Sequence, residues 1–108
     1  MRVRPTVDYP VRVELMRGIV VEPLDIVDMS VGGMGLLAGR ALERQGVGST
    51  IKLRLTTPDA EPLEVTAVVR HISIGSRVCG VEFSEPGDPA LTALHKAVGD
   101  LLQRGSLA

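Results

Sequence analysis

Aromatic side chains and net charge are both scarce in this chain, and each shortage argues against one class of partner. Tyr9 and Phe83 are the only residues of the Phe, Tyr and Trp class among 108 residues, which leaves no evident stacking platform for nucleic-acid bases. The formal net charge of -1 removes the general attraction to a polyanion. We therefore expect no nucleic-acid partner.

Cysteine and long apolar runs are also lacking. Cys79 has no partner for an internal disulfide, and its place between Val78 and Gly80 predicts a small buried thiol rather than a nucleophile or ligand. No apolar run approaches the roughly 18 residues that cross a bilayer. The N-terminus Met-Arg-Val-Arg-Pro lacks the apolar stretch of a signal peptide. We expect a cytoplasmic protein without membrane insertion.

Residues suited to catalysis or metal binding are not grouped in the sequence. His71 and His95 have no cysteine or carboxylate neighbours at ligand spacing, and no serine lies in a nucleophile elbow. Asp25 and Asp28 would face opposite sides of a strand. We predict no enzymatic activity, no metal site and no cofactor.

Alternation of apolar and polar residues predicts a mainly β protein. Within the second predicted strand, Pro23 cannot donate to a ladder, so we expect a bulge, a kink or a sheet edge there, and an interrupted strand. The predicted strands cover about residues 11–15, 19–27, 34–38, 51–55, 63–70 and 79–83. Cys79, Val81 and Phe83 share one face of the last strand.

The pattern changes to a helical period after Asp88. Aspartate is a favoured N-cap, Pro89 suits the first helical position, and an apolar stripe continues towards Gly105. About six strands followed by this helix predict a small antiparallel β-barrel, closed or nearly closed, with the helix against it. We expect an N-terminal tail over residues 1–9, a single domain over 10–104 with its helix at about 88–104, and a short tail over 105–108.

A polar turn lies between the second and third predicted strands. It reads Asp28-Met-Ser30-Val-Gly-Gly33, and it combines a carboxylate, a hydroxyl and glycines that permit the close approach of another molecule. The same residues also make a good strand-to-strand connection. The turn alone therefore leaves a ligand site and a purely structural role both open.

With its flanking segments, this turn resembles the PilZ family over nearly the whole chain. In that family an Arg-x-x-x-Arg segment precedes the first strand, Asp/Asn-x-Ser-x-x-Gly follows the second, and Gly-Val-x-Phe ends a late strand. Asp28, Ser30 and Gly33 match the second motif, and the segment from Gly80 to Phe83 matches the third. The resemblance implies a PilZ-like split barrel of six strands with a C-terminal helix.

The arginine motif is incomplete. Arg4 stands where the family's second arginine usually lies, whereas the first would fall one position before Met1, and the chain offers Arg2 and Arg4 at i, i+2. Three interpretations are open. Arg2 substitutes for the missing arginine, or a residue upstream of Met1 supplies it, or this member does not bind the family's ligand.

The resemblance implies cyclic di-GMP, a doubly anionic bacterial second messenger, as the ligand. Guanidinium groups of Arg4 and Arg2 would form paired hydrogen bonds with phosphate or guanine. Asp28 would accept from guanine N–H groups, Ser30 would donate or accept beside it, and Gly33 would leave room for the ligand. The implied function is a regulatory module that signals to an unidentified effector protein by ordering its N-terminal tail over the barrel.

The incomplete motif supports an alternative, a degenerate PilZ adaptor that binds no nucleotide. Such a domain would contact a protein partner through the apolar helix face or an exposed strand edge. Leu101, Leu102 and Leu107 could form that patch. Alternatively, the first two complete the core and the third frays.

Overall fold

The computed structural model describes residues 1–108, which form one antiparallel sheet and two helices. The elements are β1 (Arg12–Arg17), β2 (Val20–Leu24), β3 (Ile26–Met29), β4 (Gly33–Leu37), α1 (Arg40–Gln45), β5 (Thr50–Thr56), β6 (Leu63–Ile72), β7 (Val78–Ser84) and α2 (Asp88–Gln103). The sheet order is β2-β1-β5-β6-β7-β4-β3. The predicted mainly β fold with a C-terminal helix is confirmed. Neither helix is long and apolar enough to cross a membrane.

The sheet has seven strands, one more than predicted, because the second predicted strand is divided in two. β2 ends at Leu24 and β3 begins at Ile26, so the interruption falls at Asp25 rather than at Pro23. Pro23 lies inside β2, an edge strand whose only partner is β1. An edge tolerates proline because one side of the strand needs no donor.

The two edge strands of the sheet are consecutive in the chain. Asp25 alone separates β2 from β3, although they lie at opposite ends of the strand order. The sheet therefore has to curl until its edges approach each other at this residue. No ladder joins β2 to β3, so the barrel is strongly curved but not closed by hydrogen bonds.

The inward-facing residues of the strands and one stripe of α2 form a single core. Leu53 of β5 and the α2 residues Leu94 and Leu101 are fully buried. The predicted inner face of β7 is also buried, including Cys79, and burial raises the pKa of its thiol. A protonated, enclosed thiol fits the predicted packing role rather than nucleophilic chemistry.

Helix α2 begins at Asp88, as the predicted bounds have it, but its N-cap lies one residue before the predicted one. Gly87 is the N-cap and makes no side-chain cap bond, while Asp88 is the first helical residue and Pro89 follows it. The Asp88 carboxylate still lies in the first turn, where the helix dipole favours a negative charge. The helix ends at Gln103, and Gly105 adopts a φ of 73°, a left-handed conformation that suits glycine after a helix.

The N-terminal segment packs into the domain through Val3. This residue is fully buried and forms antiparallel bridges with Met29 of β3 on one side and with Leu107 on the other. Its backbone N–H donates to the Met29 carbonyl at 2.9 Å, and Met29 returns a bond of 2.8 Å. Val3 thus adds a short paired segment to the edge of β3.

The C-terminal residues complete this arrangement. The backbone N–H of Arg4 donates to the Ser106 carbonyl at 3.0 Å, and the Ser106 hydroxyl donates to the Arg4 carbonyl at 2.6 Å. The N–H of Ala108 donates to the Arg2 carbonyl at 3.1 Å. The two segments predicted as tails therefore lie side by side.

Tyr9 fixes the following part of the N-terminal segment. Its ring is buried, and its hydroxyl donates to Oδ2 of Asp59 at 2.6 Å, in the connection between β5 and β6. The Arg104 guanidinium lies 5.6 Å from the ring centroid, within the range of a cation–π contact. Burial and the neighbouring Asp59 carboxylate raise the pKa of Tyr9 well above its usual range.

We expect the ionisation of Tyr9 to oppose folding at alkaline pH. The folded state holds the phenol proton to a higher pH than the unfolded state does, so the stabilisation from Tyr9 is complete below the unfolded pKa of about 10 and is lost as the pH rises above it. Because Tyr9 is the only tyrosine, tyrosinate absorbance reports on it alone. Absorbance should rise only as the domain unfolds, and urea-unfolded protein is the control. Ionisation at the usual pKa in folded protein would contradict this expectation.

Replacement of Leu101 should destabilise the domain because it removes a fully buried side chain. We expect Leu101→Ala to lower the free energy of unfolding by about 2–5 kcal/mol in urea denaturation. Leu107→Ala is the matched control, since that side chain is 64% exposed, and it should change stability by less than about 0.5 kcal/mol. Equal effects of the two variants would be inconsistent with the packing of α2.

Candidate functional site

Arg2 and Asp28 form an ion pair beside the edge of β3. The antiparallel bridge between Val3 and Met29 places Arg2 opposite Ser30 and diagonal to Asp28, and Nη1 of Arg2 lies 2.5 Å from Oδ1 of Asp28. The side chains are 46% and 24% exposed, respectively. A guanidinium from the N-terminal segment thus meets the carboxylate of the polar turn at a position open to solvent.

The turn between β3 and β4 is held by its own backbone and by Ser30. The N–H of Ser30 donates to the Gly33 carbonyl at 2.9 Å, and its hydroxyl oxygen accepts from the N–H of Gly32 at 3.2 Å. The hydroxyl hydrogen is not used in these bonds, so it can still donate to a ligand. Ser30 therefore has both a local structural role and a free donor.

Gly33 is required by the close approach of the turn to β7. A Cβ at this position would overlap the backbone carbonyl oxygen of Val81. The same contact region contains a bond from the Phe83 N–H to the Gly32 carbonyl at 2.8 Å. Because the obstructing atom belongs to the backbone, a side chain at Gly33 would displace a strand rather than rotate a neighbour.

Gly35 of β4 and Gly80 of β7 face each other directly, and we call them the glycine pair. A Cβ on Gly35 would lie 2.8 Å from Oδ1 of Asp28. A Cβ on Gly80 would overlap the His71 ring, with Nδ1 and Nε2 at 2.6 and 2.8 Å. Since directly opposed residues project to the same face of a sheet, Asp28 and His71 flank the glycine pair on the outer face.

A β-bulge in β6 puts His71 on this face. Val69 pairs with Val81 and His71 pairs with Gly80, which leaves Arg70 as the extra residue. Arg70 and His71 are consequently both exposed, and Nη2 of Arg70 lies 2.9 Å from Oε1 of Glu82. Strict alternation after a buried Val69 would have directed His71 inward.

A pocket of about 450 Å³ lies on the outer face around these groups. Its lining includes Arg2, Ser30, Gly33, Arg70, His71 and Gly80. Asp28 reaches this set through its bond to Arg2. The structure thus brings together the predicted residues Arg2, Asp28, Ser30 and Gly33, and it adds Arg70 and His71, which sequence reasoning left out. Two consecutive polar residues at the end of an alternating strand were the available signal for the bulge.

Two predicted site residues, Arg4 and Asp28, lie outside the pocket lining, but Asp28 is joined to it by its ion pair with Arg2, whereas Arg4 makes no ion pair. Its backbone is bonded to Ser106, and its side chain is exposed. Alternate residues of an extended segment project to the same side. Arg4 and Arg2 therefore share the side opposite the buried Val3. The antiparallel register places Arg4 opposite Asp28, but the ion pair with Asp28 is made by Arg2.

Comparison with known families identifies the class of protein. The family model described as PilZ domain matches residues 1–100. The chain is a member of the PilZ domain family. No curated protein sequence matches it.

Solved structures with similar folds include those of two proteins, MrkH and YcgR. The K. pneumonia MrkH–c-di-GMP complex has a TM-score of 0.73 at 16% identity, covering 96% of this chain and 51% of that one. MrkH in its apo state has a TM-score of 0.74 at 17% identity, covering 97% of this chain and 49% of that one. The PilZ domain of Escherichia coli YcgR with c-di-GMP has a TM-score of 0.66 at 15% identity, covering 97% of this chain and 91% of that one. The chain spans about half the length of MrkH, and these likenesses show a shared fold.

Adding a methyl group at Gly33 should disturb the packing of the turn on β7. We expect Gly33→Ala to cost about 1–3 kcal/mol in the free energy of unfolding, because the new Cβ meets a backbone carbonyl. Gly32→Ala is the neighbouring control, since its nearest obstacle is the Ser30 hydroxyl at 3.9 Å. Urea denaturation of both variants measures the difference. Equal stability of the two would show that the turn relaxes freely.

Proposed function

We propose that this PilZ domain is a cytoplasmic, non-enzymatic receptor module for cyclic di-GMP that signals to an effector protein. The supporting observation is the contact of Arg2 with Asp28 beside the turn that carries Ser30 and Gly33. Two proteins of the same fold, MrkH and YcgR, are described with c-di-GMP. The arrangement supplies the cation, carboxylate and hydroxyl that recognition of a guanine dinucleotide requires.

Two arginines at the pocket can engage phosphate groups by exchanging partners. Arg2 is paired with Asp28 and Arg70 with Glu82, and all four side chains have access to solvent. Exposed pairs of this kind contribute only about 0–1 kcal/mol, so a phosphate can replace the carboxylate at little cost. Once freed, the Asp28 carboxylate can accept from guanine N–H donors, and the Ser30 hydroxyl can donate beside it.

Arg4 takes a second phosphate contact in this proposal. It projects from the same side of the N-terminal segment as Arg2, and alternate residues of an extended chain lie about 6.5–7 Å apart. A long guanidinium side chain spans the remaining distance to an anion at the rim of the pocket. The i, i+2 spacing of Arg2 and Arg4 then serves in place of the family's wider arginine spacing.

The contacts of the N-terminal segment favour a particular route for the signal. Val3 is already paired with Met29 and Leu107, so the ligand meets a packed segment rather than a free tail. Engagement of Arg2 and Arg4 changes the pairing of this segment with residues 106–108. The effector would then detect a rearrangement of the paired termini instead of the ordering of a free tail.

The leucine patch suggested for the adaptor alternative is not present on the surface. Leu101 is fully buried, and Leu102 packs against the core, so neither forms an exposed patch with Leu107. This matches the other interpretation of these leucines, in which the first two complete the core. An adaptor would need a different surface, such as the edge of β2.

Isothermal titration with cyclic di-GMP tests the proposed function. We expect saturable binding by the wild-type domain and at least a tenfold loss of affinity in Asp28→Ala, because a hydrogen bond to a charged group contributes about 1.5–3 kcal/mol. Asp25→Ala is the matched control. The substitution removes the same charge from the same part of the chain, but Asp25 lines a different pocket of about 460 Å³.

The outcomes separate recognition from general charge effects. Equal changes in affinity for Asp25→Ala and Asp28→Ala would assign the effect to net charge rather than to the pocket. Absence of binding heat at high concentrations of folded wild-type protein would end the receptor proposal.

A further inference from the structure

We propose that His71 is the stacking residue of the pocket, and that its imidazole ring supports one guanine base of the bound dinucleotide. This inference rests on the proposed function, and it assigns a residue outside the three sequence motifs. It follows from the position of the ring over Gly80, from the bulge that turns the ring outward, and from the lack of another well-exposed aromatic ring at the pocket.

The His71 ring covers Gly80, with one face of the imidazole turned towards the glycine. The position that a Gly80 Cβ would occupy approaches Cε1, Nδ1 and Nε2 of the ring together, with the nitrogens at 2.6 and 2.8 Å. A point in the plane of the ring beyond Cε1 would be farther from both nitrogens. Gly80 is buried although it has no side chain, and His71 is exposed. The ring therefore has one face on the sheet and the other towards solvent at the pocket.

No other aromatic ring is well exposed at this pocket. Tyr9 is buried with its hydroxyl on Asp59. Phe83 contributes to the pocket lining, but it is only 8% exposed and belongs to the core. His95 is exposed on α2 and is not part of the pocket lining. Bases stack on histidine as well as on Phe, Tyr and Trp. The expectation of no stacking platform counted only those three residue types, so it overlooked His71.

The position of His71 complements that of Asp28. The two side chains flank the glycine pair, whose members are directly opposed and therefore about 4.5–5.5 Å apart between Cα atoms. A base lying on the imidazole face has a side-chain-free surface beside it and a carboxylate beyond that surface. His71 then holds the face of the base, while Asp28 is placed to accept from its N–H edge.

Titration of cyclic di-GMP into variants of the full chain tests this assignment. We expect His71→Ala to lower the affinity by about fivefold or more, the loss typical of one base-stacking contact. His71→Phe keeps a planar ring and should retain most of the affinity. His95→Ala removes the other imidazole, far from the pocket, and should bind as the wild type does.

A spectroscopic measurement distinguishes stacking from a structural effect. In the wild type and in His71→Phe, the guanine H8 proton of the bound ligand should shift upfield in the NMR spectrum because it lies over a ring. The shift should be smaller in His71→Ala. Gly80→Ala tests the geometry from the other side, since its methyl group takes the place of the ring and should lower affinity with His71 unchanged.

The possible failures are distinct. If the wild type does not bind, the proposed function fails and this inference fails with it. If the wild type and His71→Ala bind equally, the stacking assignment is overturned and the receptor function stands. If His71→Phe loses as much affinity as His71→Ala, the imidazole acts through hydrogen bonds, and stacking is again overturned.

Discussion

The absence of side chains at the glycine pair is the constraint on which the outer face depends. Gly35 leaves space for the Asp28 carboxylate, and Gly80 leaves space for the His71 ring. Gly33 acts differently, because it lets the backbone of the turn rest on β7. The glycine pair thus leaves room on the sheet for one polar side chain from β3 and one from β6.

The second requirement is the burial of Val3. One apolar side chain in the core, with backbone bridges to Met29 and Leu107, fixes the position of the segment that carries the arginines. Without this anchor, the ion pair of Arg2 with Asp28 would be a weak surface contact unable to order a chain end. The apolar contact therefore sets the position of the segment, and the ion pair with Asp28 forms on a chain that is already in place.

More of the fold than of the candidate site can be predicted from the sequence. Alternation and the helical stripe predict the strands and α2 because burial on one face imposes those periods. The division at Asp25 was missed because a local pattern does not reveal that one segment joins opposite edges of a sheet. His71 was missed for a related reason: a bulge shifts the alternation by one residue, and only pairing with β7 defines it. The turn motif was found because its residues are contiguous.

The side-by-side chain ends have a practical consequence. Ala108 donates to the Arg2 carbonyl, so the polypeptide enters and leaves the domain at one corner, beside the pocket. Two fluorescent proteins attached there would be close neighbours, and energy transfer between them would respond to any parting of the paired strands. The same geometry suits insertion of the whole domain into a loop of a host enzyme, where a small movement at this corner would be passed directly to the host.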